Sequence, residues 1–277
     1  MSVSMTYYFV FVGAFLLLVW AFYVPFRGGL LYNGPVYCMA IGGYLSAFLV
    51  RDLGWPFMPA LFVAVAIGTL FGFVPALGFA RTTGVVTAVS SMALIFIIQS
   101  VIRNLDFLGG PKGFLHIPKI PYLLPVTYLI LLVAGVLIYR LDHSRLGRGL
   151  EVVATDPDLA RSLGMDVKWL SIISLTISSV LGALAGVIYT FNIRTIQPEV
   201  FGFPLLLSST AMLFVGGRYT MWGPIITVPM LWGLPQWVPS EMAQYTNIFY
   251  GALLVLMLVV RPEGIVTRGV LLRLGIR

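Results

Sequence analysis

Long apolar stretches alternate with short polar ones along the whole chain. Seven of the apolar stretches approach or reach the ~20 residues that a helix needs to cross a bilayer: 7–26, 56–80, 84–102, 120–139, 169–192, 221–238 and 243–260. Stretches 29–50 and 203–217 are also apolar, but Gly, Pro, Asn or Ser interrupts them. Continuous runs of this length indicate helices, because the strands of a membrane barrel alternate over about ten residues. The pattern predicts an all-α polytopic membrane protein, a bundle of about eight or nine transmembrane helices, some of them broken by glycine or proline.

Composition supports a membrane protein and excludes several other classes. Hydrophobic residues make up 59% of the chain and charged residues only 10%, whereas soluble proteins are about 25% charged. The mean hydropathy is +0.98. The net charge of +7 comes from basic residues at the edges of apolar stretches, which is the usual bias of membrane proteins and does not indicate nucleic-acid binding. Cys38 is the single cysteine, so an intramolecular disulfide is excluded. The first stretch, 7–26, lacks a basic start and a cleavage pattern and is expected to be a retained span.

The basic residues predict which side of the membrane each polar segment occupies. Segment 140–168 contains ten of the charged residues, and the tail 261–277 contains four arginines. Basic residues accumulate on the cytoplasmic side, so both segments are predicted to be cytoplasmic. Counting crossings backward places Arg27 inside and the loop 103–119 outside. The whole chain, 1–277, is interpreted as one transmembrane domain.

A short helix with clear ends is predicted inside the polar segment. Asp156 is a good N-cap, and Pro157 suits the first helical position. Gly164 suits the left-handed position that ends a helix. Leu159 and Leu163 are four residues apart and share one face. About two turns are not stable alone in water, so the helix is expected to dock, either into a groove of another protein or back onto its own bundle.

Glycine and proline are concentrated inside the apolar stretches. Unwound backbone at membrane depth is tolerated where it lines a cavity, whereas small residues also allow helices to approach closely. Gly182 and Gly186 are spaced four apart, which favours close helix contact. For 33–44 and 216–222 both interpretations stay open.

Ionisable side chains are rare at the centres of the apolar stretches, which limits the chemistry available. An ion-coupled carrier usually needs such groups there. No Gly-x-x-x-x-Gly-Lys-Ser/Thr motif is present, so the chain is not expected to bind nucleotide itself. His116 and His143 are isolated, so neither a metal site nor a catalytic residue is predicted. The chain is therefore not expected to be an enzyme.

Several longer motifs occur in a recognisable order. They are GRGLEVVATDPDLARSLGMDVKWLS (147–171), LFVGGRYTMWGP (213–224) and YGALLVLMLVVRPEGIV (250–266), supported by NGPVYCMAIGGYLSA (33–47), PALGFARTTGVVTAVSSMALIFI (75–97) and LGGPKGFLHIP (108–118). With these motifs, from about residue 28 to 266, the chain resembles the permeases of the branched-chain amino acid ABC importer family, on its LivM-like side.

The resemblance implies a subunit of the plasma or inner membrane that forms a translocation pathway for branched-chain or other amino acids. Implied partners are a second, related permease, two cytoplasmic ATPases and an extracytoplasmic solute-binding protein. No cofactor is expected on this chain, because ATP and Mg²⁺ would bind to the ATPases. The residues expected to couple to the ATPase are Glu151, Asp156, Leu159, Arg161, Gly164 and Met165. The residues expected along the pathway are Asn33, Gly42, Gly43, Tyr44, Ser90, Ser91, Gln99, Gly216, Gly217 and Gly223.

The transported solute and the mode of transport have alternatives. Related permeases serve urea, amides or aromatic acids, and departures from the family pattern at Pro35, 81–83 and 218–219 leave the solute open. A stand-alone channel or secondary carrier is an alternative from another class. Uptake by this chain alone, in liposomes without ATP, would favour that alternative.

Overall fold

The computed structural model describes residues 3–82, 84–217 and 220–237, together with positions 248, 251, 252, 255, 256 and 259. The α-helices in the three continuous ranges are α1 (Val3–Arg27), α2 (Gly34–Arg51), α3 (Phe57–Phe79), α4 (Gly84–Asn104), α5 (Leu123–His143), α6 (Arg145–Thr155), α7 (Pro157–Ser162), α8 (Val167–Ile193), α9 (Phe203–Gly216) and α10 (Gly223–Trp237). Short 3₁₀ turns occur at Asp106–Leu108, Gly110–Lys112 and Pro198–Phe201. An isolated antiparallel bridge joins Phe114 to Ile196. The predicted all-α class is confirmed.

Within the described residues, five helices are long and apolar enough to cross a membrane, judged by length and composition. They are α3, α4, α5, α8 and the part of α1 from Met5 to Arg27. Helices α2, α9 and α10 are shorter, with 18, 14 and 15 residues. They occupy the predicted stretches 29–50, 203–217 and 221–238. Most of the predicted span 243–260, and all of the tail 261–277, lie outside the described residues.

Helix α8 lies at the centre of the bundle. It packs against α1, α2 and α3. Helix α1 is buried along most of its length, as expected for a helix that is apolar on all sides. Helices α4 and α5 are mostly exposed. The bundle therefore has a buried centre formed by α1, α2 and α8, and α4 and α5 lie at its surface.

The helix ends form two groups on opposite sides of the bundle. At one end, which we call the α6 end, Arg27 of α1 pairs with Asp142 of α5. At the other, which we call the opposite end, the Tyr44 hydroxyl of α2 donates a hydrogen bond of 3.3 Å to the Ile196 carbonyl oxygen after α8. This grouping is the one expected if successive spans alternate in direction. Which end faces the cytoplasm stays a prediction from the distribution of basic residues.

Two of the helices are continuous where glycine or proline suggested a break. Helix α2 runs through Gly42 and Gly43, and α10 runs through Pro229, Gly233 and Pro235. The backbone of neither helix is interrupted at these positions. Neighbouring helices and local adjustments satisfy the backbone groups that such residues free. The expected interruption between 203–217 and 221–238 is present, because α9 ends and α10 begins there.

The polar segment 140–168 contains a helix that was not predicted. Helix α6 precedes α7, and α5 extends to His143. Gly147 and Gly149 each make a helix about 1 kcal/mol less favourable than alanine would. For this reason the sequence pattern did not predict α6. Both glycines are buried, and a Cβ on Gly147 would lie 2.2 Å from the Leu141 carbonyl oxygen. Close contact with α5 therefore outweighs local propensity.

Candidate functional site

Helices α6 and α7 carry the predicted coupling residues at one end of the bundle. Ser144 caps α6, because its hydroxyl accepts a hydrogen bond of 3.2 Å from the Gly147 amide. Asp156 separates the two helices and caps α7: its Oδ1 accepts from the amides of Asp158 at 2.9 Å and Leu159 at 3.0 Å. Such a cap stabilises a helix by about 1 kcal/mol. The N-cap predicted at Asp156 is confirmed.

Gly164 ends α7, also as predicted. Its φ of +76° lies in the left-handed region that favours glycine. The amide of Gly164 donates to the Arg161 carbonyl, and that of Met165 donates to the Ala160 carbonyl, both at 3.0 Å. These two bonds form a Schellman motif. The short helix is therefore held in a defined geometry at both of its ends.

The two faces of α7 have different surroundings. Ala160 is fully buried against the rest of the chain, whereas Leu159 is 50% exposed and Leu163 is 60% exposed. Both modes of docking expected from the sequence are therefore partly present. Helix α7 packs on its own bundle through Ala160, and Leu159 and Leu163 remain exposed for contact with another protein. A short apolar face of this kind is suited to a groove of another protein.

Arg161 and Met165 lie on different sides of α7. Arg161 pairs with Asp158 on the exposed surface, and a surface pair of this kind adds little stability. Met165 is half-buried, and its sulfur lies 3.9 Å from where a Cβ on Gly149 of α6 would stand. Arg161 therefore belongs to the outward surface of α7, and Met165 to its contact with α6.

A cluster of charged residues joins α1, α5 and α6. The Arg27 guanidinium, at the end of α1, pairs with the Asp142 carboxylate of α5. Its Nη2 also lies 3.4 Å from Oε1 of Glu151 on α6. The Tyr23 hydroxyl donates a hydrogen bond of 2.8 Å to Asp142 Oδ2. The Arg27 and Asp142 side chains are only 9% and 12% exposed, so the loss of one partner would leave a poorly solvated charge.

This cluster contains residues that the sequence did not reveal. Glu151, expected among the residues that contact another protein, contacts Arg27 of its own chain. Arg27 and Asp142 lie 115 positions apart, and no local pattern connects them. The available signal was a charge at the end of an apolar stretch, which is ordinary in membrane proteins.

The predicted pathway residues near the α6 end connect α2 to α4. The Asn33 amide donates to Ser91 Oγ, and Asn33 Nδ2 donates to the Ala88 carbonyl, both at 3.0 Å. Ser91 is fully buried and Ser90 is half-buried. These two bonds hold the first residues of α2 against α4.

Two other predicted pathway residues lie at the opposite end. Tyr44 is buried, and its ring meets those of Phe114 and Phe201 edge-on, with centroids 6.1 and 6.0 Å away. Gln99 of α4 donates a hydrogen bond of 2.9 Å to the Pro198 carbonyl. Tyr44 and Gln99 therefore both contact the segment that links α8 to α9.

Gly42 and Gly43 lie where α2 crosses α8. A Cβ on Gly42 would stand 2.5 Å from the Ala183 carbonyl oxygen, and one on Gly43 would stand 2.4 Å from Thr190 Oγ1. On the facing helix, a Cβ on Gly186 would lie 2.0 Å from the Met39 carbonyl oxygen. The two helices thus meet backbone to backbone, as membrane helices with small residues do. Of the two interpretations, close helix contact is observed here, and the pathway role stays a prediction.

Gly216, Gly217 and Gly223 form the turn between α9 and α10. Gly217 has a φ of +118°, and a Cβ on Gly223 would stand 2.2 Å from the Gly216 carbonyl oxygen. The Trp20 indole donates a hydrogen bond of 3.0 Å to the Met221 carbonyl within this turn. The 14 residues of α9 extend about 21 Å, less than the ~30 Å of the hydrocarbon core. Helix α9 is therefore too short to cross the hydrocarbon core by itself.

The predicted pathway residues thus occupy four places: the junction of α2 and α4, the crossing of α2 and α8, the opposite end beside the segment that links α8 to α9, and the α9–α10 turn. Ser90, Ser91 and Gln99 lie on α4, which is the least buried of the five long apolar helices. A groove of about 660 Å³ between α3, α5 and α8 includes none of the predicted pathway residues.

The sequence is similar to those of known transport proteins. A sequence model of the family described as branched-chain amino acid transport system / permease component matches residues 4–258. The high-affinity branched-chain amino acid transport system permease protein LivM of Escherichia coli (strain K12) is 26% identical over 275 residues, with 86% of this chain and 64% of LivM covered. The chain thus spans slightly less than two thirds of LivM. LivH of the same strain, also named a permease protein of that system, is 28% identical over 145 residues, which cover 52% of this chain and 46% of LivH.

The fold is also similar to that of a solved structure, PsaBC from Streptococcus pneumoniae in complex with Fab. The TM-score is 0.51, with 12% sequence identity and with 95% of this chain and 93% of that chain covered. A likeness at this identity concerns the arrangement of helices alone.

Proposed function

The chain belongs to the branched-chain amino acid transport permease family, and on that premise we propose that it is the transmembrane subunit of an ATP-binding cassette importer. Its proposed solutes are branched-chain or other amino acids. Urea, amides and aromatic acids are the alternatives within the same mechanism. Ligand screening on the solute-binding protein of the same system would identify the solute.

The outward face of α7 is the observation that carries this proposal. A subunit without a nucleotide-binding motif needs a partner that supplies energy. Leu159 and Leu163 are exposed on a helix that is capped by Asp156, ended by Gly164 and supported by Ala160. A rigid helix with an apolar outward face is suited to insertion into a groove of a cytoplasmic ATPase.

Movement of α7 has a direct route into the bundle. Only four residues lie between the end of α7 and the start of α8. Asp166 Oδ1 accepts a hydrogen bond of 3.0 Å from the Trp169 amide at the start of α8. Helix α8 meets α2 backbone to backbone at Gly186, and Asn33 at the start of α2 holds α4. We infer that closure of the ATPases displaces α7, and that α8 and α2 carry this displacement to α4.

The surface of α4 supports a second permease as partner. Ser90 and Gln99 are only half-buried, and polar side chains that face lipid are unfavourable. A second subunit against α4 would place these residues along a shared pathway. Similarity to both LivM and LivH supports a partner that is related to this chain but different from it. The solute-binding protein would dock at the opposite end, which includes the loop 103–119.

The variant Leu159→Asp tests the coupling role of α7. It places a carboxylate in the proposed apolar contact, where an unpaired buried charge costs several kcal/mol. The ATPase is expected to be lost from the purified complex, and ATP-dependent uptake with it, while membrane insertion stays normal. Arg161→Glu is expected to act in the same direction.

Leu53→Asp is the matched control, because Leu53 is 53% exposed at the opposite end. This variant should retain the ATPase. Normal ATPase association and uptake by Leu159→Asp would contradict the coupling role. Uptake by this chain alone in liposomes without ATP would instead contradict the importer proposal as a whole.

A further inference from the structure

A long apolar groove runs along the outside of the bundle between α3, α5 and α8. It has a volume of about 660 Å³ and is lined almost entirely by aliphatic and aromatic side chains, such as Leu61, Val133 and Leu181. On α5 it extends from Val126 to Leu141, a distance of about 22 Å at 1.5 Å per residue. The hydrocarbon of one leaflet is about 15 Å deep. The groove is therefore long enough to hold a lipid acyl chain from the membrane surface to beyond the midplane.

The groove is lined by larger side chains than those at the close contact between α2 and α8. Where α2 meets α8, the contact is made by Gly42, Gly43 and Gly186. The groove contains large branched side chains instead, and two of them, Leu129 and Leu137, are 63% and 62% exposed. Interfaces between membrane helices are enriched in small residues that allow close approach. The groove is therefore better suited to a flexible hydrocarbon chain than to another helix.

A positive charge stands where the groove reaches the α6 end. Arg140 and Ser144 line this end. Within 3–82, 84–217 and 220–237, no carboxylate forms an ion pair with Arg140. Tyr139 and Trp169 are exposed at the same end, and such residues are common at the level of lipid headgroups. The apolar groove thus ends beside a guanidinium that is available to an anion.

We propose that this groove binds one anionic phospholipid from the leaflet on the α6 side. Its acyl chain lies along α5 between α3 and α8, and its phosphate accepts hydrogen bonds from the Arg140 guanidinium, whose planar donors match phosphate oxygens. Ser144 at the end of the groove is also the N-cap of α6. The bound lipid therefore touches the junction between α5 and α6, beside the cytoplasmic segment.

The test is native mass spectrometry of the purified protein after exchange into phosphatidylglycerol or phosphatidylcholine. The wild-type chain is expected to retain phosphatidylglycerol in preference. Arg140→Gln should lower its retention about fivefold, the effect of one basic side chain near an anionic surface. Val133→Trp fills the groove and should lower retention of both lipids, whereas free phosphate at Arg140 would be unaffected by it. Leu132→Trp is the matched control, because Leu132 is 65% exposed and does not line the groove.

Equal retention of phosphatidylglycerol by Arg140→Gln and the wild type would overturn the proposal. So would equal losses in Val133→Trp and Leu132→Trp. Occupation by a protein helix is tested with Val133→Cys carrying a benzophenone maleimide; the natural Cys38 is buried. Cross-linking to phospholipid is expected upon illumination, and a cross-link to a protein segment other than the groove's own walls on α3, α5, α6 and α8 would overturn the assignment.

Discussion

The contact between α2 and α8 makes a sharp prediction at Gly186. Gly186→Ala adds one methyl group whose carbon would stand 2.0 Å from the Met39 carbonyl oxygen. That oxygen belongs to the backbone of α2, so no side-chain rotation can relieve the clash. The two helices must separate, or the backbone must distort.

The size of the effect follows from the loss of contact along the whole crossing. A separation of 0.5–1 Å removes roughly a quarter to a half of the van der Waals attraction across an interface. Overpacking a tightly packed core by one methyl group costs about 1–3 kcal/mol. We expect a loss near the upper end of that range, because the nearest obstacles to the methyl group on Gly186 are backbone atoms of Met39.

Heat-induced loss of the monodisperse peak in fluorescence-detected size-exclusion chromatography measures this effect. Gly78→Ala is the matched control: Gly78 lies in α3, and a Cβ there would meet nothing within 4 Å. The control should be as stable as the wild type or slightly more stable, since alanine favours helix. If Gly186→Ala loses its monodisperse peak at the same temperature as Gly78→Ala, the backbone contact between α2 and α8 is not as close as described.

Two further predictions concern the ion pair and the orientation. Asp142→Asn should destabilise the folded protein by about 3 kcal/mol, because the buried Arg27 side chain loses its main partner. The double variant Arg27→Leu/Asp142→Leu should recover most of this loss in the same thermal assay. If the single and the double variant lose the same stability, the pairing is contradicted. In intact cells, an impermeant maleimide should label Leu53→Cys but not Leu159→Cys. The natural Cys38 is buried and should not react. The reverse labelling pattern would refute the predicted orientation.

The cap residues of α7 could be predicted from the sequence because they act locally. Asp156 accepts from amides two and three positions further on, and Gly164 ends the helix with bonds to residues within five positions. Helix α6 could not be predicted in this way. Gly147 and Gly149 argue against a helix when only their neighbours are considered, and the approach of α5 to Gly147 becomes visible only in the folded chain.

The glycines of α2 show the same limit within the candidate site. Their sequence pattern suited both an unwound pathway and a close helix contact, and the distances to α8 decide for contact at Gly42 and Gly43. Glu151 was placed with the outward residues from its position in a motif, yet it contacts Arg27. Each outcome depends on which distant helix lies opposite the residue.

The sequence alone determined the all-α membrane class, the apolar stretches that form helices within the described residues, and the two ends of α7. Hydrophobic length and hydrogen bonding between near neighbours are properties of a residue and its own segment. The tertiary structure alone decided that Arg27 meets Asp142, that Gly186 meets Met39, and that an apolar groove ends at Arg140. Such contacts join residues far apart in the chain, and they arise only when all the helices have packed together.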